Sequence, residues 1–188
     1  MVEARNQISI RLAGADDAEM LAELAIRTFR ETYAADTSPE DMGSHLKRWY
    51  GPAIQRAEIE DAAVRTLLVM HGGQAIGYTQ LRLHDQRNPE PDCVVMPERP
   101  AQPLADPMEI WRFYIDRPWQ GRGAAQQLMH AAIELARSLG AKNLWLGVWE
   151  KNPRAFAFYR KCGYRHIGEH EFRFADERHT DLVMARSV

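Results

Sequence analysis

Residues 109–125, EIWRFYIDRPWQGRGAA, decide how the rest of the chain is read. The apolar run Ile110 to Ile115 predicts a strand. It meets a turn at Pro118, then Gln120-Gly121-Arg122-Gly123-Ala124-Ala125, then a long amphipathic stretch that predicts a helix over 122–139. Glycine and alanine here strip side chains from the positive end of a helix, so consecutive backbone N–H groups can close on an anion. A diphosphate fits such a nest, and Arg122 adds a charge-assisted contact. A nucleotide P-loop would need Gly-Lys-Ser/Thr after its glycines, and none follows. A dinucleotide fingerprint would need a third Gly where Gln126 stands and an acid about 20 residues further on. Glu134 and Glu150 are badly placed for that role.

A second informative segment lies downstream. Asn143–Glu150, NLWLGVWE, predicts a buried strand, with Trp145 and Trp149 on one face and Leu144 and Leu146 on the other. Asn152 then suits a helix N-cap, Pro153 the first helical position, and Gly163 the left-handed residue that stops the helix.

Together the two segments resemble the Gcn5-related N-acetyltransferase (GNAT) family. Gln120, Gly123 and Ala125 match its Q/R-x-x-G-x-G/A turn. Asn152, Ala155, Phe158, Tyr159, Lys161, Gly163 and Tyr164 match its N-x-x-A-x-x-F-Y-x-K-x-G-F/Y segment. The resemblance covers residues 105–188 firmly and the N-terminal half in outline. It implies an α/β acyl-CoA N-acyltransferase fold with a mixed, mostly antiparallel central sheet flanked by helices, in a single domain over 1–188. It also implies acetyl-CoA as co-substrate and a direct transfer of acetyl to a primary amine. Gln120, Gly121, Arg122, Gly123, Ala124 and Ala125 would hold the diphosphate. The backbone of Phe113, Tyr114 and Ile115 would face the thioester and pantetheine, Asn152 would bond the pantetheine arm, and Lys161 would reach the phosphates.

Acetyl transfer sets a chemical requirement. A primary amine has a pKa near ~10.4, so only about one in ~2,500 molecules is neutral at pH 7. Glu109, at the register where many family members place a general base, is the candidate proton acceptor. The bland alternative is a strand-end Glu in solvent or in an ion pair with Arg112. Tyr159 is the candidate acid for the departing thiolate. A phenol near ~10 facing a thiol near ~8.5 makes full transfer uphill by about 2 kcal/mol, so a hydrogen bond that sharpens with charge is expected. Neither Cys93 nor Cys162 is placed for an acyl-enzyme.

The C-terminal LWLGVWEKN and GEHEFRFADERHTDLVM, with the N-terminal TFRETYAADTSPEDM, look more narrowly like bacterial spermidine/spermine N-acetyltransferases of the PaiA type. A polyamine pocket calls for carboxylates and aromatic faces. Glu31, Tyr33, Trp49 and Tyr50 are the candidate acceptor residues, with Asp36, Glu40 and Asp41 nearby. Two other readings stay open: acetylation of protein Lys or N-terminal amines, and a non-catalytic acyl-CoA-binding regulator.

Composition narrows the rest. At 188 residues and 45% apolar the chain can build one well-cored domain. Lys+Arg 24 against Asp+Glu 26 gives −2, so no nucleic-acid partner is expected. No stretch approaches the ~20 apolar residues of a membrane span, and no signal peptide or metal is expected. A cytoplasmic setting is the default, and a homodimer through the C-terminal strands is open. Strands are predicted at 8–12, 66–71, 74–84, 109–115, 143–149, 164–174 and 180–186. Helices are predicted at 16–33, 39–50, 52–63, 122–139 and 153–161. Residues 85–107, with six prolines, read as a loop.

Overall fold

Apolar spacing sets the helices and turn chemistry sets their ends. In the computed structural model, which describes residues 7–83, 104–174 and 177–188, the strands are β1 (Ser9–Leu12), β2 (Val64–His71), β3 (Gln74–Leu83), β4 (Pro107–Ile115), β5 (Asn143–Trp149), β6 (Arg165–Phe174) and β7 (Glu177–Ser187). The helices are α1 (Ala18–Tyr33), α2 (Pro39–Trp49), α3 (Pro52–Glu60), α4 (Ala124–Ser138) and α5 (Pro153–Lys161). Single 3-10 turns at Ala15–Asp17 and Arg117–Trp119 precede α1 and α4. These elements make a seven-stranded, mixed, mostly antiparallel sheet flanked by helices.

The chain divides into two compact units that interleave along the sequence, residues 1–81 with 112–132, and residues 82–111 with 133–188. In the first, the strand order is β1-β2-β3-β4. β1 pairs antiparallel with β2, from Ser9 opposite Met70 to Leu12 opposite Leu67. Helix α1 buries Leu21, Leu24, Ala25, Thr28 and Phe29 along one stripe. Ser38 caps α2 by accepting from the Asp41 N–H, with Pro39 at the first helical position. Gly77 on β3 has a steric reason: a Cβ there would strike the Ile115 side chain and lie 2.9 Å from the Tyr114 carbonyl. In the second unit the order is β4-β5-β7-β6. β5 pairs antiparallel with β7 from Asn143–Ser187 to Trp149–Asp181. Leu144, Leu146 and Val148 form its buried stripe.

Several boundaries move from those the sequence predicts. Strand β4 starts at Pro107 rather than Glu109, so the end of the expected 85–107 loop is strand. Residues 84–103, including Cys93, lie outside the described residues. Helix α4 starts at Ala124, not Arg122, because Gly121 and Gly123 both adopt positive φ, 78° and 87°, which no helix accepts. Trp145, expected in the core, is only half-buried; its strand turns the leucine face inward.

Candidate active site

In the first unit the turn 120–123 joins the 3-10 turn to α4. Its left-handed glycines are dictated by φ rather than by crowding, since a Cβ on Gly121 would meet no atom within 4 Å. Gln120 donates from Nε2 to the Ile115 carbonyl at 2.9 Å, tying the turn back to the end of β4. Arg122 is exposed, with its guanidinium 5.7 Å from the centre of the Trp119 ring. Trp119 in turn packs against His71 at 4.2 Å. The first helical bond of α4 runs from the Gln127 N–H to the Gly123 carbonyl at 3.1 Å. The amides of Ala124 and Ala125 precede it, at the end of a helix where backbone donors have no acceptor of their own.

In the second unit α5 carries the residues of the other segment. Asn152 accepts at Oδ1 from the Ala155 N–H at 3.0 Å, so the cap uses the oxygen. The Nδ2 donor is a separate group on the same side chain, and the two roles expected of Asn152 do not compete. Tyr159 is the buried residue of α5, set edge-on to Phe158 at 5.4 Å and to Tyr164 at 5.8 Å. Burial pushes the Tyr164 phenol well up from its ordinary range. Lys161 is exposed in the last turn.

Glu109 is buried on β4, 7% exposed. Arg82 on β3 donates to Oε2 from Nε at 2.9 Å and from Nη2 at 2.8 Å. The ion pair that the sequence suggested with Arg112 is not the one formed. Arg112 bonds Glu58 of α3 at 2.5 Å and the Gln80 Oε1 of β3 at 2.7 Å. The parallel pairing of β4 with β5 is short. Pro107, Met108 and Glu109 stand opposite Asn143, Leu144 and Trp145, while β5 pairs with β7 along its whole length.

Glu31 is exposed and accepts from the Arg117 N–H at 3.3 Å. Tyr33 and Tyr50 pack against Phe29 at 4.5 and 5.2 Å, and Trp49 lies 6.5 Å from His45. Arg48 stands over Trp49 at 5.1 Å and Arg112 over Tyr50 at 4.8 Å. Asp41 is engaged with Ser38 at 2.6 Å. Sequence reasoning missed Phe29 and His45, which stack at 4.6 Å, and the hydrogen-bonded Arg112–Glu58–Gln80 group. It also missed Tyr78, stacked on Tyr114 at 5.6 Å. The Tyr78 hydroxyl is buried with no hydrogen-bond partner among the described residues. Burial pushes both phenols well above their ordinary range. A usable signal was present: Tyr78 and Gln80 on β3, and Arg112 and Tyr114 on β4, each stand two apart, so each pair lies on one face of its strand.

Residues 18–164 match the acetyltransferase (GNAT) family. An uncharacterized N-acetyltransferase of Lactobacillus delbrueckii subsp. lactis is 30% identical over 179 residues, covering 95% of this chain and 96% of that protein. The chain belongs to the acetyltransferase (GNAT) family. It is an acetyl-CoA-dependent N-acetyltransferase. The spermine/spermidine N(1)-acetyltransferase of Bacillus subtilis (strain 168) is 33% identical over 66 residues, 34% of this chain and 43% of that protein. The crystal structure of the PaiA N-acetyltransferase from Thermoplasma acidophilum in complex with coenzyme A has the same fold. Its TM-score is 0.74 at 21% identity, over 97% of this chain and 99% of that one.

Cys162 is half-buried, and burial pushes its thiol up, away from the thiolate a nucleophile needs. His166 and His170, four apart, fall on β6 with a register shift after His166. Among the described residues no group of three or more His, Cys, Asp or Glu gathers for a metal, and no helix is long and apolar enough to cross a membrane.

Proposed function

We propose that the protein acetylates a primary amine of a small cationic molecule, a polyamine, by direct transfer from acetyl-CoA in a ternary complex. The turn from Gln120 to Ala125 binds the diphosphate through its amides and Arg122. The Asn152 amide donates to the pantetheine arm, and Lys161 meets the phosphates. Glu109 takes a proton from the ammonium, directly or through water. The amine nitrogen attacks the thioester carbonyl, and amides of Phe113, Tyr114 and Ile115 stabilise the oxyanion. The C–S bond breaks, and Tyr159 donates a hydrogen bond to the CoA thiolate.

The observation that carries this reading is the end of the β4–β5 pairing at Glu109, a buried carboxylate. Among the described residues the parallel register runs from Pro107 to Glu109, and an open strand edge beyond it is what a thioester would need in order to add to the strand. The polyamine acceptor is supported by the 66-residue likeness to the Bacillus subtilis enzyme. A neutral or aromatic monoamine is favoured by a different observation. Guanidinium groups already stand over Trp49 and Tyr50, and Arg112 compensates the buried Glu58 carboxylate.

Loss of thioester absorbance from acetyl-CoA tests both. The panel is spermidine, spermine, aromatic and aliphatic monoamines, and peptides with free N-terminal or Lys amines. Turnover on spermidine and spermine is expected. Turnover confined to monoamines replaces the polyamine with the second reading, and turnover confined to peptides makes the protein a protein acetyltransferase. Acetyl-CoA binding without turnover on any amine would mean either that the acceptor lies outside the panel or that the protein is an acyl-CoA-binding regulator.

A further inference from the structure

We propose that Arg82 is a positioning residue for acetyl transfer: its guanidinium, laid on the Trp111 ring, fixes the Glu109 carboxylate in one orientation at the point where β4 leaves β5. This rests on the reading of Glu109 as proton acceptor.

The geometry is specific. Adjacent guanidinium N–H groups converge on one oxygen, Oε2, at 2.9 and 2.8 Å. Both side chains are about one-tenth exposed, 11% and 9%. The Trp111 ring centre lies 4.5 Å from the guanidinium carbon, which fixes the plane of the fork. A glutamate side chain has several rotatable bonds, and an acceptor oxygen displaced by even ~1 Å loses a large part of its rate advantage. The always-charged guanidinium also offsets the desolvation that burial imposes on the carboxylate and favours its ionised form. Among the described residues, Arg82 is the charged group that bonds Glu109 from β3. From β5, Trp145 stands opposite Glu109 and is neutral. Its neighbours on β4, Met108 and Ile110, are neutral, and the Lys142–Asp106 pair at the start of the strand is exposed.

The test is a double-mutant cycle on kcat and KM across pH, using acetyl-CoA with spermidine or the panel amine that turns over. Arg82→Gln should lower kcat by roughly tenfold to a hundredfold with the KM for acetyl-CoA unchanged. It should also move the acidic limb of the pH profile upward. Arg82→Lys should restore the limb, because the charge remains. It should not restore kcat, because an ammonium has no planar fork. In a Glu109→Gln background, Arg82→Gln should cost no more than about twofold, since the residue acts through a group already removed.

An unmoved acidic limb in Arg82→Gln, or an equal cost with and without Glu109, would overturn the proposal while leaving Glu109 as base. Full activity of Glu109→Gln would overturn the base assignment and the role of Arg82 with it. If Arg82→Gln does not fold, as judged by circular dichroism, Arg82→Lys in the two backgrounds carries the same comparison.

Discussion

Strand β4 takes part in two buried guanidinium–carboxylate pairs, one in each compact unit, and they are built differently. Arg112, Glu58 and Gln80 close a ring. Arg112 donates to both partners, and Gln80 Nε2 donates to the same Glu58 oxygen at 3.0 Å. The ring draws one side chain each from α3, β3 and β4. Tyr50 covers the guanidinium at 4.8 Å. Glu109 and Arg82 form a fork on a single oxygen, with Trp111 under the guanidinium. The first arrangement ties three elements together. The second aligns one carboxylate at the residue where the parallel ladder stops. On the proposed mechanism, similar chemistry and similar burial would serve stability in one unit and orientation in the other.

The comparison breaks most visibly at Arg112. Arg112→Met leaves the Glu58 carboxylate buried with its cation gone, a change that costs about 3–5 kcal/mol. The urea midpoint should fall accordingly, and the activity per folded molecule should fall much less. An unchanged midpoint would mean that the ring contributes nothing net. Glu109→Gln should differ in its effect on turnover. The amide oxygen still accepts from Arg82 but the guanidinium loses its counter-charge, so the midpoint should fall as well, and activity per folded molecule is the discriminating readout. Turnover should fall roughly a hundredfold, about 2.7 kcal/mol in the barrier. A large stability loss with normal turnover would make Glu109 a second structural pair.

How legible these features were in the sequence follows from the range of the interactions. The strand–turn–helix at 109–125 and the capped helix at 152–163 are local: glycine φ, an Asn cap and a Pro at the first helical position act within a few residues. Both could be read directly, with the start of β4 moved to Pro107 and that of α4 to Ala124. The partners of Glu109 and Arg112 are non-local. Glu58 and Arg112 are 54 positions apart, and Arg82 and Glu109 are 27 apart. Nothing in the residue types says which carboxylate meets which guanidinium. Strand register decides it, and Arg112, a sequence neighbour of Glu109, went to α3 instead. The aromatic group around Phe29 was hidden for a similar reason. Tyr33, Trp49 and Tyr50 were visible as residues, but the contacts through His45 depend on how α1 packs against α2.

His45 sharpens the contrast in the first unit. Burial, followed by the charges of Arg112 and Arg48, pulls its pKa down from 6.5 to about 4. The folded state therefore holds His45 neutral where the unfolded chain would bind a proton. This contribution is present in full above pH 6.5 and is lost as pH falls from 6.5 to about 4. Discounted for the partial exposure of the ring, it is on the order of 1 kcal/mol. Urea midpoints of the wild type should drop between pH 7 and pH 5, and His45→Gln should flatten that drop. A drop of equal size in both proteins would assign it to other groups.

The smallest expected effect tests whether chemistry in the second unit runs through Glu109 at all. In a double-displacement route a cysteine would accept acetyl first, and the base would serve a different step. Cys162 is the cysteine among the described residues, at the C-terminal end of α5. Its carbonyl accepts from Arg186 at 2.6 Å, and burial pushes its thiol up, so little thiolate forms near neutral pH. Cys162→Ala should leave turnover within about twofold of the wild type and the midpoint within about 1 kcal/mol. Initial-rate patterns with both substrates varied should intersect, as a ternary complex requires. Parallel lines, or an inactive Cys162→Ala protein, would move the acetyl group onto the enzyme. Glu109 would then act in deacylation rather than in the first proton transfer.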